Sequence, residues 1–568
     1  MSLVLSVLVG ALVGLVVVAF ILLTGRLAAR MYPAGGSGWR RILVPALGSL
    51  STGYLLWRYF PFARGSGIPQ TKAAIFIHEG HIRFRTVFGK FFCCSASLAS
   101  GIALGREGPS VQVGAGIASV IARNLGLDPR QVKALVPAGC AAALAAAFNT
   151  PIAAVLFSLE EIMGDLHAAV LGSVVISAAT SWMVLHLILG DDPLFHVAGY
   201  TLVHPGEFGV YAVLGVVGGL GSVGFVKLLL ALRAWFQRLP KWSIWLQPLA
   251  GGLTVGLIGY FVPEVMGVGY NEVENVLNGD IVLKTVVLLA VLKTLATTVC
   301  YASGNAGGIF GPSLFIGAMM GAAVGGIAHA LFPGSTAGPG AYALVGMGTA
   351  FAGIVRTPLT SVIMIFEITR DYTIIVPLMI SNMIAYFISQ KLQPHAIYEA
   401  LASQDGIHLP TSDSRSQVGR ALVRDSMRPP SQVLLGSDRV TDAMRKILAD
   451  RNGRAGDPDA WPVMNEGVFL GMMRASAIDR ADTEKTLARI LAETQDHSPA
   501  GLSEPAHVHP DHSLGIALER IGAGSSSVLP VVSRANVQHL LGLICLDDIL
   551  ATYGVAKRQE AVDDEANR

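Results

Sequence analysis

Three glycine-rich breaks interrupt otherwise apolar sequence: Gly65-Ser-Gly-Ile-Pro69, Gly105-Arg-Glu-Gly-Pro109 and Gly307-Gly-Ile-Phe-Gly-Pro312. In each, proline falls where a helix should begin, because the first helical turn does not use the N–H that proline lacks. The glycines let the backbone turn its N–H groups toward one point. Helix N-termini carry unpaired N–H donors and a partial positive charge. Several aimed at one place would hold an anion, and without the tight grip of a buried lysine they would also release it. Glu107 lies inside the second break. An ionisable residue among helix ends in apolar sequence is functional by default. The plainer alternative is a charge that stabilises the start of its own helix.

The elements that must position these residues are duplicated. Gly139–Glu160 and Gly346–Glu367 are copies, with the Gly, the Thr-Pro pair and the Glu in register without a gap. Gly105–Pro109 and Gly308–Pro312 precede them at about the same distance. Apolar halves with Gly/Pro breaks at matching places mark a transporter or channel built from repeats. The two halves cover roughly residues 1–190 and 200–400, and they are inverted if each crosses with an odd net number of spans. Glu160 matches Glu367, which favours a structural role such as helix capping or an interfacial pair. Glu161 matches Ile368, so this acid is present in one repeat only. An asymmetric proton route would require that. The alternative is an exposed carboxylate at a helix end.

The chain has 568 residues, 52% hydrophobic and 14% charged. Soluble proteins carry about 25% charged residues, so most of this chain faces lipid or other apolar helices. The net charge of +2 gives no reason to expect a nucleic-acid partner. About 20 apolar residues cross a bilayer core. Long runs are Leu3–Leu23, Ile42–Phe60, Ala168–Leu189, Phe208–Leu232, Leu246–Val262, Ile281–Cys300 and Ile374–Ile388. Shorter or broken ones are Val111–Ile121, Ala134–Phe148, Ile152–Leu159, Phe315–Leu331, Ala341–Ile354 and Leu359–Phe366. Broken backbone must pack inside protein or line a water-filled cavity. No basic segment precedes Leu3, so the first span reads as retained, not as a cleaved signal. Arg26, Arg30, Arg40 and Arg41 crowd the first loop, which by the positive-inside rule would place it in the cytoplasm. The five cysteines, Cys93, Cys94, Cys140, Cys300 and Cys545, read as small buried residues, with no disulfide framework or metal site.

Near Pro394 the texture changes, and residues 403–568 are rich in Asp, Arg, Ser and His. They read as a soluble α/β domain of two similar halves. Each has a helix-like stretch (Val440–Asp450, Leu514–Ile521) and then two short strand-like runs joined by a turn. The expected boundaries are a linker at 403–420, a first module at 421–480, a linker at 481–505, a second module at 506–556 and a polar tail at 557–568. His497, His507, His509 and His512 cluster around the second linker, but their spacing is irregular and no paired cysteines accompany them.

Together the breaks resemble the signatures of the CLC family of chloride channels and proton-coupled chloride transporters. The family's GSGIP, GREGP and GxFxP motifs stand in order as Gly65–Pro69, Gly105–Pro109 and Gly308–Pro312. Pro394-His-Ala-Ile-Tyr398 matches the segment where the family places an anion-coordinating tyrosine. The resemblance covers residues 1 to about 402, without the family's short cytoplasmic first helix. The tail resembles a pair of CBS modules.

The resemblance implies an all-α polytopic membrane domain, residues 1–402, of two inverted-topology repeats. It also implies a cytosolic α/β CBS pair and a homodimer with one pore per subunit. The setting would be a bacterial inner membrane with the tail in the cytoplasm, and the first loop would lie outside, against the arginine count. Ser66 and Tyr398 would donate hydroxyls to a central anion, and the N–H groups of Ile309 and Phe310 would complete that site. Gly67, Ile68, Arg106 and Gly108 would line the anion path. Glu107 would be the gating glutamate, and Glu161 the internal proton acceptor of coupled members. Chloride and protons would be the ligands and lipid the surroundings. No cofactor, metal or nucleic acid is called for. No nucleophile–base pair stands out, so an enzyme is not expected. Nucleotide-binding CBS modules often end in Gly-x-x-Thr/Ser-x-x-Asp. The second module keeps Gly542 and Asp548 but has Cys545 between them, and the first has Gly471, Arg474 and Ala477. An adenine nucleotide at the pair is thus an open alternative. So are a passive chloride channel, and a non-transporting membrane sensor reporting through the tail. Fluoride export fits less well, since that branch departs from the GSGIP and Glu161 pattern.

Overall fold

The computed structural model describes residues 2–32, 37–166, 170–191, 194–195, 202–279, 282–407, 409, 421–451, 460–478, 484–495, 506–523 and 526–552. The tail 557–568, His497 and much of both linkers, 403–420 and 481–505, lie outside them. The chain divides into two compact units, Met1–Leu409 and Pro410–Arg568.

The first unit is helical. One repeat supplies α1 (Ser2–Met31), α2 (Gly38–Arg58), α3 (Ile68–Phe76), α4 (Phe84–Ala99), α5 (Glu107–Asn124), α6 (Pro129–Phe148), α7 (Pro151–Phe157) and α8 (Leu171–Leu189). The other supplies α9 (Glu207–Gln237), α10 (Gln247–Phe261), α11 (Tyr270–Leu277), α12 (Leu283–Ala302), α13 (Phe310–Leu331), α14 (Pro339–Val355), α15 (Pro358–Thr369) and α16 (Ile375–Leu392). Taken in order, each helix of the first set has a counterpart in the second, and α17 (Ile397–Gln404) follows.

Among the described residues, seven helices are long and apolar enough to cross a membrane. Their outer faces carry large apolar side chains, with Leu187 on α8 84% exposed. Such a surface suits lipid, not water. Two runs read as short, Phe315–Leu331 and Ala134–Phe148, are longer at their starts. Pro312 falls in the first turn of α13, where proline is tolerated. α6 begins before Ala134, at Pro129, where the Asp128 side chain accepts the Gln131 N–H at 2.9 Å.

α5, α6, α13 and α14 are buried along most of their lengths. α5 crosses α6 at Gly114 and Gly139, and α13 crosses α14 at Gly317 and Gly346. A Cβ at any of the four would lie 2.3 Å from the partner glycine's carbonyl oxygen. Small residues at these crossings are what bring the backbones together, because lipid offers no hydrophobic drive between helices.

The repeats meet reciprocally. Gly105 and Gly308 exchange two backbone hydrogen bonds, each 2.7 Å. The Glu160 carboxylate caps the N-terminus of α15, accepting from Thr360 N at 2.8 Å and Thr360 Oγ1 at 2.6 Å. The Glu367 carboxylate caps α7 in return, accepting from Ile152 N at 2.9 Å and Ala153 N at 2.7 Å. Each anion meets the positive end of the other repeat's helix.

The second unit is a small α/β region. Strand β1 (Leu434–Leu435) runs parallel to β2 (Ala460–Asn465), which pairs antiparallel with β3 (Val468–Arg474). β4 (Val528–Val532) pairs antiparallel with β5 (Leu540–Cys545), and Val508 bridges in parallel to Val531 much as β1 joins β2. Both hairpins shift register, the first between Val463 and Met464 and the second between Val531 and Val532 at the end of β4. One expectation changes here. Residues 421–428, assigned by sequence to the first module, pack into the second. Val423 is buried with Val508, Leu514 and Ile544, and Arg428 exchanges backbone hydrogen bonds with Leu543.

Candidate anion and proton site

The three breaks all open helices. Gly67 caps α3 with φ of +101°, a left-handed conformation that suits glycine, and Ile68 and Pro69 begin the helix. A Cβ on Gly67 would lie 2.8 Å from the Gly108 carbonyl oxygen, so the first and second breaks touch. Arg106 is the N-cap residue of α5, Glu107 its first residue, and Gly108 follows. Ile309 is the N-cap residue of α13 and Phe310 its first residue. N–H groups of a helix's first turn have no intrahelical acceptor, so these turns present donors where the breaks converge. Phe310 is seated among Phe148, Phe157 and Phe351, with ring centroids 4.8, 5.6 and 4.3 Å away.

Glu107 is fully buried. Its Oε2 accepts the Gly311 N–H from the first turn of α13 at 3.2 Å, and its Oε1 accepts the Tyr270 hydroxyl from α11. The carboxyl group thus lies at the positive end of α13, tethered to its own helix. The Arg106 guanidinium stands 5.5 Å from the Tyr270 ring centroid.

Ser66 and Tyr398 are both wholly buried. Among the described residues, neither the Ser66 hydroxyl nor the Tyr398 hydroxyl finds a hydrogen-bond partner. Buried hydroxyls are ordinarily satisfied, so two orphans in the region of the converging helix starts fit an anion acceptor. Ser66 is held from behind, its N–H donating to the Tyr301 hydroxyl at 3.3 Å. Tyr398 lies on α17, which packs against α3.

Glu161 departs from the reading as an exposed helix-end acid. It is buried in a π-helical turn, Ser158–Met163, where an extra residue per turn re-aims side chains. Its Oε1 is 2.8 Å from Lys72 Nζ, and the two side chains are 7% and 5% exposed. Lys72 was not singled out from sequence. Its signal was a lone cation in the apolar run Ile68–Phe76.

Sequence also missed the counterpart of the first break. Gly267-Val-Gly269-Tyr270 opens α11 as Gly65-Ser-Gly67-Ile68 opens α3, and Gly269 likewise has positive φ, +88°. A buried lysine stands behind each loop. Lys90 Nζ donates to the carbonyls of Ala63, at 3.0 Å, and Gly65. Lys293 Nζ donates to those of Val265, at 2.9 Å, and Gly267, at 2.7 Å. With their charge facing carbonyl oxygens, these lysines shape the loops without standing in the anion's place.

A cavity of about 1060 Å³ lies beside the first break, lined by Arg64, Gly65, Gln70, Arg233, Tyr301 and Asp405 among others. Arg233 pairs with Asp405 at 2.5 Å and donates to Gln404 at 2.9 Å, tying α9 to the end of α17.

In the second unit, Gly542 and Asp548 flank a strand-to-helix turn. Asp548 accepts the Cys545 N–H at 3.0 Å and pairs with Arg428 at 3.2 Å. The Arg428 guanidinium also reaches Cys545 Sγ at 2.9 Å. Burial pushes the Cys545 thiol up, against the pull of Arg428, so it stays neutral. All five cysteines are free and buried. The rings of His507, His509 and His512 stack edgewise in sequence, and among the described residues no group of three or more His, Cys, Asp and Glu could hold a metal ion.

The family described as voltage gated chloride channel matches residues 47–390. A protein of Ralstonia nicotianae named for its likeness to the chloride channel protein ClcB is 34% identical over 385 residues, 66% of this chain and 89% of that protein. The H(+)/Cl(-) exchange transporter ClcA of Vibrio campbellii is 32% identical over 354 residues, 61% of this chain and 76% of its own. Among solved structures, a slow cyanobacterial Cl-/H+ antiporter superposes with a TM-score of 0.66 at 26% identity, covering 71% of this chain and 97% of that one.

Proposed function

This chain belongs to the voltage-gated chloride channel family, and on that premise we propose that it exchanges chloride for protons across a membrane. It is an integral, multi-pass membrane protein with many apolar helices. The observation that carries the proposal is the Glu107 carboxylate bound by the first turn of α13. A side chain that occupies a helix-end anion site when ionised gives way to chloride when protonated. One group then serves both ions. Ser66, Tyr398 and the N–H groups of Ile309 and Phe310 hold the central anion, with Gly67, Ile68, Arg106 and Gly108 along its path. Glu161 passes protons to Glu107 from the other side. Its burial beside Lys72 supports this, because an acid kept from water holds a proton or an ion pair according to its partner.

Relatives carry both channel and exchanger names. What favours exchange here is that both acids are buried inside the helical unit. The exchange of hydrogen bonds between Gly105 and Gly308, and the reciprocal caps of Glu160 on α15 and Glu367 on α7, support two inverted repeats. A homodimer with an anion path in each subunit accompanies the family reading, as do a bacterial inner-membrane location and a cytoplasmic tail. The paired hairpins of the second unit support a CBS pair. An adenine nucleotide at Asp548 would compete with Arg428 for the same carboxylate.

The test is purified protein in chloride-loaded liposomes, with chloride efflux and external pH recorded together. Exchange gives proton uptake that stops when the chloride gradient is spent. Chloride efflux without proton movement would replace the exchanger with a channel. No flux of either ion would leave the sensor reading.

A further inference from the structure

The Glu107 carboxylate is held at both oxygens, and both holders come from the second repeat. Gly311 N–H, from α13, takes Oε2 at 3.2 Å, and the Tyr270 hydroxyl, from α11, takes Oε1. Tyr270 is the first residue of α11, the position that Ile68 occupies in α3. The same device places both residues: a left-handed glycine cap and a buried lysine gripping the two carbonyls behind it. In the first repeat that device presents Ser66 to the anion. In the second it presents a phenol to the acid. The ring is fixed by the edge of Phe195, 5.6 Å between centroids, and by the Arg106 guanidinium. Lys293 is itself seated 4.7 Å from the Phe315 ring centroid.

We infer that Tyr270 is a positioning residue for the gate: its hydroxyl anchors the ionised Glu107 carboxylate in the anion site and sets how readily chloride displaces it. The inference rests on the reading of Glu107 as gate. The two anchors differ in chemistry. A backbone N–H only donates, whereas a phenol donates and accepts. When Glu107 takes up a proton, Oε1 is therefore the oxygen on which it still finds a partner, with the phenol oxygen turning to accept. The ionised carboxylate keeps both anchors. Other titratable or charged groups near Glu107 are Arg106 on its own element, Cys94 on α4 and Tyr398 on α17. The substitution Tyr270→Phe leaves all of them and the ring packing in place.

Two measurements on the purified, detergent-solubilised full chain test the inference, and neither needs transport. The first is the infrared carboxylate stretch of Glu107, assigned as the band lost in Glu107→Gln. In Tyr270→Phe that band should move to the frequency of a carboxylate with one donor fewer. An unmoved band overturns the inference, whether or not the protein carries chloride. The second is chloride affinity by calorimetry as a double-mutant cycle. Tyr270→Phe should raise affinity about tenfold, which is ~1.4 kcal/mol, when Glu107 is present, and less than twofold in Glu107→Gln. An equal change in both backgrounds would mean that Tyr270 supports the fold, not the gate. A moved band in a protein that moves no chloride in liposomes would keep the anchor and overturn the transport reading instead.

Discussion

Lys72 on α3 and Glu161 in the π-helical turn after α7 form an ion pair 2.8 Å long, almost wholly out of water. Removing one member strands the other charge. Glu161→Gln should keep chloride movement and abolish proton movement. It should also lower stability by about 3–5 kcal/mol, because the Lys72 ammonium is left buried and unpaired. The double variant Lys72→Met, Glu161→Gln should regain most of that stability and still move no protons. Thermal unfolding in detergent and paired ion fluxes separate the two effects. Proton uptake surviving in Glu161→Gln would remove Glu161 from the route.

Glu107→Gln keeps the shape of the side chain and removes its charge and its proton. The competing anion is then permanently absent from the first turn of α13. Chloride flux should persist and lose its pH dependence, and proton flux should vanish. A pH series of chloride efflux checks this.

Ser66→Ala with Tyr398→Phe removes two hydroxyls that find no partner among the described residues. A hydrogen bond to a charged group contributes about 1.5–3 kcal/mol, and the backbone donors of Ile309 and Phe310 remain. Chloride affinity should fall about tenfold or more without disappearing, as measured by calorimetry. Unchanged affinity would place the anion elsewhere.

The reciprocal caps make a prediction about the fold alone. Glu160→Gln and Glu367→Gln should each cost about 1.5–3 kcal/mol, because each removes a charge that accepts backbone N–H groups at a helix start. Their effects on thermal stability should be similar in size, since the contacts are near mirror copies. A large effect on proton coupling from Glu160→Gln would mean that it shares the role given to Glu161.

What sequence made legible follows from how local each signal was. The three breaks and Glu107 stood out because Gly and Pro cluster there at matching places in the two halves and their helix-start chemistry is local. The mismatch of Glu161 with Ile368 was readable by register. Lys72 was not, because an ion pair spanning 89 residues of chain leaves no periodic trace. Gly267–Tyr270 escaped notice because its loop lacks the proline that marks the other breaks. α6 was read too short because Arg130, Gln131 and Lys133 interrupt the apolar pattern before Ala134, yet the Asp128 side chain caps a helix that starts at Pro129. Residues 421–428 were placed in the wrong half because Val423 finds its core partners 85 residues or more downstream, at Val508, Leu514 and Ile544.

Coupling itself is tested most directly by letting protons do the work. Liposomes holding the wild-type protein are prepared with equal chloride on both sides and a proton gradient, and isotopic chloride is followed. Exchange predicts that chloride moves against its own gradient until the two driving forces balance, and that neither Glu161→Gln nor Glu107→Gln does so. Chloride that equilibrates across the membrane but is never concentrated by the proton gradient would contradict the account.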